Sequence, residues 1–255
     1  MQEIKFDLGN NIHETAKASG APSFQKSETA GLIDYSVAAV PDTIPAHYTR
    51  AGYEIVWRPI FAFAMYADRD RGTDLRVETV TLQLSRILKT HEQAQAFVEQ
   101  TLAQFNKGKW QRYSELEWYT LLTGRSSLLD EQGRLSDELM ALDPDYKIPA
   151  EDWPLVVKKG PIWRWVGDGV IAKLKVNEYG TEERGLDYSL GLQFDLVDIA
   201  NARDAEDLAR RLKEGDAKGW NSTVEHEANK KKAAARIKRL EENAIQRGDS
   251  VVKRP

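Results

Sequence analysis

The chain has 255 residues, 41% hydrophobic and 30% charged, which suits one large folded unit or two small ones. A net charge of −4 and a pI near 5.7 speak against general nucleic-acid binding, and the lack of cysteine excludes disulfides, thiolate metal sites and thiol catalysis. No run approaches the roughly 18 apolar residues of a membrane span, and the opening MQEIKFDLGNNIHETAK lacks the apolar core of a signal peptide. The expected location is cytoplasmic, with a periplasmic or membrane-anchored one left open if a signal or anchor has been removed.

Residues 1–30 are polar and weakly periodic, and a loosely held arm with one short strand at Ile4–Leu8 is expected. Residues 31–110 read as a first α+β unit. Gly31–Val40 is a strand closed by Pro41. Tyr53–Tyr66, apolar on both faces, reads as a central, doubly covered strand with a bulge or break at Pro59. After a turn at Ala67–Asp74, Leu75–Leu88 returns as a strand, and the shift in apolar phase between Val77 and Val80 predicts a bulge. Thr90 and Gln93 form a capping box for a helix to about Asn106, with Ala94, Phe97, Val98, Thr101, Leu102 and Phe105 on its inner face.

Residues 111–160 read as a helical and loop insert. Ser114 can cap a short helix ending at Gly124, and a second short helix is expected near Glu151–Lys158. Residues 161–220 form the second α+β unit. Val170, Ala172, Leu174 and Val176 alternate with Ile171, Lys173 and Lys175, so one face is expected buried and one wet. A hairpin turn at Tyr179–Gly185 leads to the alternating strand Leu186–Leu196, then to a helix at about Arg203–Lys213 closed by Gly215. Residues 221–255 read as a long helix and basic tail. The helix opens on a second capping box, Ser222 with Glu225, and ends at Gly248. Its apolar stripe is thin: Val224, Ala228, Ala235, Ile237, Leu240 and Ala244.

Two stretches, 82–110 and 192–220, align without a gap. Leu82 falls on Leu192, Leu84 on Phe194, Ile87 on Val197, Leu102 on Leu212 and Trp110 on Trp220. The expected fold is therefore α+β: two repeated β-hairpin–helix units, antiparallel sheet covered by helices, and a long C-terminal helix. Trp110 and Trp220 should occupy equivalent places. The expected core comprises Phe61, Phe63, Leu82, Leu84, Phe97, Leu102, Leu190, Leu192, Phe194, Leu208 and Leu212.

Motifs for chemistry are sparse. Gly124-Arg-Ser126 resembles the start of a nucleophile elbow, but Leu128 stands where its second glycine belongs. Asp68, Asp70 and Asp74 share a turn with Arg69 and Arg71, which neutralise it as a calcium loop would not tolerate. The four histidines are scattered. No catalytic residue, cofactor or metal ligand is assigned. Trp163, Trp165 and Asp168 either line a sugar or peptide groove, as in a hydrolase or carbohydrate binder, or pack within the sheet. Trp118, Tyr119, Leu128, Leu129, Tyr146 and Trp153 of the insert either anchor a partner or seal the gap between units. Lys231, Arg236 and Arg239 on the last helix form either a solvated face or a basic patch for that partner.

Several blocks carry a resemblance: GYEIVWRPI (52–60), THEQAQAFVEQ (90–100), GKWQRY (108–113), TGRSSLLDEQG (123–133), ALDPDY (141–146), WVGDGVIAKLKV (165–176) and EGDAKGWNST (214–223). Over residues 31–255 the chain resembles a proteobacterial family of unknown function associated with type VI secretion loci that carry lipase toxins. The resemblance implies a non-catalytic adaptor or chaperone that binds the toxin, a secreted effector protein, and presents it to the spike protein. An immunity protein that plugs the toxin is the neighbouring alternative. Neither reading involves a cofactor, nucleic acid or a membrane span.

Overall fold

The computed structural model describes residues 2–84, 88–115, 119–139, 141–181 and 185–254. The first half contains β1 (Ile4–Phe6), α1 (Ile12–Ala18), β2 (Gln25–Thr29), β3 (Leu32–Val37), β4 (Ala46–Tyr48), β5 (Ile55–Trp57), β6 (Ala62–Asp68), β7 (Thr79–Gln83), α2 (His91–Phe105) and β8 (Gln111–Arg112). The insert holds β9 (Leu121–Leu122), a 3-10 turn at Gly124–Leu128 and α3 (Trp153–Val157). The second half holds β10 (Ile162–Gly167), β11 (Val170–Thr181), β12 (Gly185–Leu196), α4 (Val197–Ala217), α5 (Ser222–Arg247) and β13 (Val251–Val252). The class is α+β. An eight-stranded antiparallel sheet runs β2-β3-β6-β7-β12-β11-β10-β8, beside a three-stranded sheet β1-β4-β5 and the pair β13-β9.

Alternation along the strands gives the large sheet one apolar face. Phe63, Leu82, Leu192, Phe194, Leu174 and Trp165 share that face and are all buried. The small sheet packs on it: Phe6 meets Phe63 at 5.4 Å between ring centroids, and Tyr48 stacks on Phe194 at 5.0 Å. Helix α2 covers the same face beside it, with Phe105 lying flat on Trp165. Thr90 caps this helix by accepting from the Gln93 N–H at 3.2 Å, and the Gln93 side chain accepts from the Lys89 N–H.

The strands show a local twofold. β3-β6-β7 and β10-β11-β12 are three-stranded antiparallel runs that meet at the β7/β12 pair, where Leu82 lies opposite Leu192. The expected repeat stops there. Helix α4 follows β12 directly and lies toward the opposite face, where Arg203 donates to Thr79 and pairs with Glu78. Trp110 is half-buried against Tyr53, Phe105 and Tyr48, whereas Trp220 is 60% exposed. The strand–helix units are therefore not equivalent. Ile87, paired with Val197 in the alignment, lies outside the described residues.

Other expectations are corrected by tertiary contacts. Residues 2–30 are not a loose arm: Ile4, Phe6, Leu8 and Ile12 are buried, and β1 pairs with β4. Tyr53–Tyr66 is not one strand. It breaks at Pro59 into β5 and β6, which belong to different sheets, since proline cannot donate to a ladder. The bulge before β7 is present, with Val77 and Val80 both fully buried and Glu78 and Thr79 side by side on Arg203. The helix expected from Ser114 is absent over residues 119–123, where β9 is drawn into pairing with β13. Phe61 is 37% exposed, and Leu208 and Leu212 are only half-buried because α4 runs outward from the sheet. Gly215 does not close α4 but is buried in its last turn, under Ser222 of the next helix. Ser222 is the first residue of α5 rather than its cap. Asn221 precedes it, and the Asp216 carboxylate accepts from the Ser222 N–H.

Candidate functional site

The insert and the C-terminal helix, apart in sequence, close on each other. β9 pairs with β13, Thr123 N–H donates to Ser250 O at 2.9 Å, and the Asp249 carboxylate accepts from Ser126 N–H at 3.0 Å. Asn243 donates to Glu131 O at 2.9 Å and Thr120 to Glu241 at 2.9 Å, so the second half of α5 is docked. Its docked positions are Ala233, Ile237, Leu240 and Ala244, and the same spacing continues backward to Lys230 and His226. The expected stripe was therefore displaced at its start. Val224 is 60% exposed, and Ala228 and Ala235 face solvent.

Toward its N-terminus α5 continues past the insert, and a cavity of about 510 Å³ opens between them. Its apolar wall is Leu122, Leu129, Ala141, Ala233, Ile237 and Leu240, and its polar rim includes Tyr119, Glu138, Arg236, Asn229, Lys230 and His226. The rim is organised by charge. Tyr119 donates to Glu138 at 2.5 Å, Arg236 reaches the same carboxylate at 3.4 Å, and Arg236 pairs with Glu131 at 3.2 Å. Burial, and then the adjacent Glu138, raise the Tyr119 hydroxyl well above its ordinary value. Burial alone would raise Glu131, but its backbone hydrogen bond together with Arg236 and Arg239 holds it below the usual carboxylate range.

The structure therefore gathers Tyr119, Leu129 and Arg236 around one cavity and disperses the other candidates. Leu128 and Trp153 are buried in the core, and Tyr146 packs against it. Leu128 and Trp153 thus serve the interior, where the insert folds down onto α2 and the sheet, and Tyr146 stays half-buried at its edge. Lys231 is exposed outside the cavity, and Arg239 pairs with Glu131 at 3.6 Å. Trp118 lies outside the described residues. The residues missed from sequence are His226, Asn229 and Lys230, with continued helical spacing the available signal for the first and third, whereas Ser126 was read only as a failed nucleophile elbow.

The other constellations resolve as structure. Trp163 and Trp165 are 1% and 2% exposed on the packed face, so they form no groove with Asp168. Asp168 is an exposed residue of the β10–β11 turn at φ +46°, and its carbonyl accepts from Arg50. Asp68 and Asp70 sit at a hairpin tip where Arg71 bridges Asp68 and Glu206. Ser126 and His226 line the same cavity, yet among the described residues no hydrogen bond joins them, and Ser126 Oγ accepts from Arg247 at 3.4 Å. Among the described residues no group of three or more His, Asp or Glu is placed to hold a metal ion, and no helix is long and apolar enough to cross a membrane. No family model, curated protein or solved structure matches the chain.

Proposed function

We propose that the chain is a protein-binding module: an adaptor or chaperone that holds a lipase-type toxin of a type VI secretion system and presents it to the spike. The observation that carries the reading is the cavity between the insert and α5. It is built from elements that lie outside the large sheet, has an apolar wall, and lies in the range of roughly 300–1,000 Å³ typical of pockets that enclose a ligand group. Its rim charges are largely committed to one another through Glu138, Arg236 and Glu131, which suits a site that fixes an apolar anchor and orients it through its edges. The family resemblance supplies the identity of the partner.

The test is copurification of a candidate lipase-type toxin of a type VI secretion system with wild type and with Leu129→Lys and Ile237→Glu. Both side chains are only half-buried, so both variants should keep the fold in a thermal melt. Each should weaken binding at least tenfold. Undiminished binding by both folded variants refutes the site. Lipase activity measured at equimolar ratio separates the roles: an adaptor leaves it largely intact, and an immunity protein abolishes it.

A further inference from the structure

The large sheet has a second face, and no described helix covers most of it. Near the α4 end, Thr79, Asp195 and Ile171 are buried, with Arg203 donating to Thr79. The next two rows across the strands are only partly covered: Ala64 and Arg164 are buried, and the remaining positions are half-buried or, at Lys175, exposed. One runs Ala62, Gln83, Gly191, Lys175, Ile162; its neighbour runs Ala64, Thr81, Gln193, Lys173, Arg164. Together they floor a trough of about 480 Å³. Layered α+β folds cover both faces of such a sheet when both carry apolar groups. Here Glu115 covers the Arg164 end, and no described helix covers the rest of these rows.

Gly191 is the unexplained residue. It sits mid-strand in β12, paired with Lys175 on one side and Gln83 on the other. Its φ is not in the left-handed range, and a Cβ there would meet nothing within 4 Å. A glycine inside a central strand weakens the strand, and it is found where a ligand or another backbone must come close. The chain's own packing makes no such demand at this position.

The trough also has a sign. Its lining includes Arg164, Lys173 and Lys175 and no carboxylate. Glu115 holds Arg164 and Lys173 at 3.1 and 2.5 Å, and Asp195 holds Lys173 at 3.0 Å, which fixes those two cations along one wall. Lys175 is exposed and has no ion-pair partner among the described residues.

The geometry points to a docking site for an amphipathic helix of a protein partner, its backbone passing over Gly191 and its acidic flank toward Lys175. Such a helix supplies the missing layer. This surface is separate from the cavity beside α5, so the module has two places to hold protein partners.

The probe is a fluorescein-labelled amphipathic helical peptide with a Leu/Ala face and a Glu flank, compared with its Lys-flanked counterpart by anisotropy at low and high salt. The intact protein should bind the acidic peptide at least about tenfold more tightly, with the preference shrinking in salt. Gly191→Val should raise the melting temperature and lower affinity for the acidic peptide by at least about tenfold, opposite signs that a merely structural glycine would not give. Lys175→Glu should leave the melting temperature unchanged and reverse the preference between peptides. Equal binding of both peptides would overturn the proposal, as would full affinity in Gly191→Val or destabilisation by it. The Leu129 and Ile237 variants should bind these peptides as wild type does, so failure here is distinct from failure of the cavity.

Discussion

Phe194 is where the layers of this protein meet, and replacing it with alanine is the sharpest test of the core. The side chain is fully buried on the packed face of β12. It stacks on Tyr48 at 5.0 Å and meets Phe6 at 5.5 Å and Trp57 at 5.6 Å, so rings from all three strands of the small sheet converge on it. Truncating a buried phenylalanine costs about 3–5 kcal/mol, and each aromatic pair adds roughly 0.5–1.5 kcal/mol beyond its area. The three partner rings are held by a sheet of their own and cannot all relax into one cavity. The loss should therefore fall at the upper end, about 4–5 kcal/mol. At roughly 2–4 °C per kcal/mol for a chain of this size, the melting temperature should drop by about 8–20 °C. Urea denaturation measures the difference directly. Phe61→Ala is the control: that ring is 37% exposed and its loss should cost less than about 1 kcal/mol. A Phe194→Ala loss below about 2 kcal/mol, or one equal to that of Phe61→Ala, would refute this account of the core.

Two further outcomes follow from single groups. Gly124→Ala should destabilise the junction between insert and tail by about 1–3 kcal/mol, because φ is +60° there and a Cβ would lie 2.3 Å from the Asp249 carboxylate; hydrogen exchange at Leu121–Leu129 reads the loosening. Burial raises the Glu78 carboxyl above its ordinary 4.5, against the pull of Arg203 at 2.8 Å. A group raised in the folded state contributes stability that is full below its unfolded value and is lost as pH rises through the folded one. The stability of wild type relative to Glu78→Gln should therefore fall as pH rises from about 4.5, and a difference that stays flat with pH would be contrary to it.

The sequence was most readable where local rules and tertiary contacts agree. Val77 and Val80 announced a bulge because two inward residues three apart cannot both fit an unbroken period of two. Thr90 and Gln93 announced a helix start that the structure shows hydrogen bond by hydrogen bond. Pro59 marked a break, but nothing nearby told that the two halves join different sheets. The alignment of 82–110 with 192–220 was informative for the strands, since Leu82 and Leu192 do face each other across the local twofold. It failed for the helices. Phe105 has Trp165 to stack on, whereas at the comparable stage α4 offers Arg203 to Glu78 and Thr79 and then runs into solvent. Leu121-Leu122 looked helical because its strand partner, Val251-Val252, stands at the far end of the chain.

The cavity was illegible for a related reason, and that reason explains its chemistry. Two stripes on α5 share Ile237, Leu240 and Ala244 and diverge before them. Hydropathy favours the one that begins at Val224, since the other begins with His226 and Lys230. The docked half of the helix decides the matter. With Ala244 buried and Ile237 and Leu240 set against the insert, a straight helix must carry Ala233, Lys230 and His226 along the same line. The residues that would otherwise close the seam are thus polar, and water competes for them. Leucines at 226 and 230 would draw α5 down onto Leu129 and fill the space between. Their absence keeps the wedge open, which is the condition for any partner side chain to enter it.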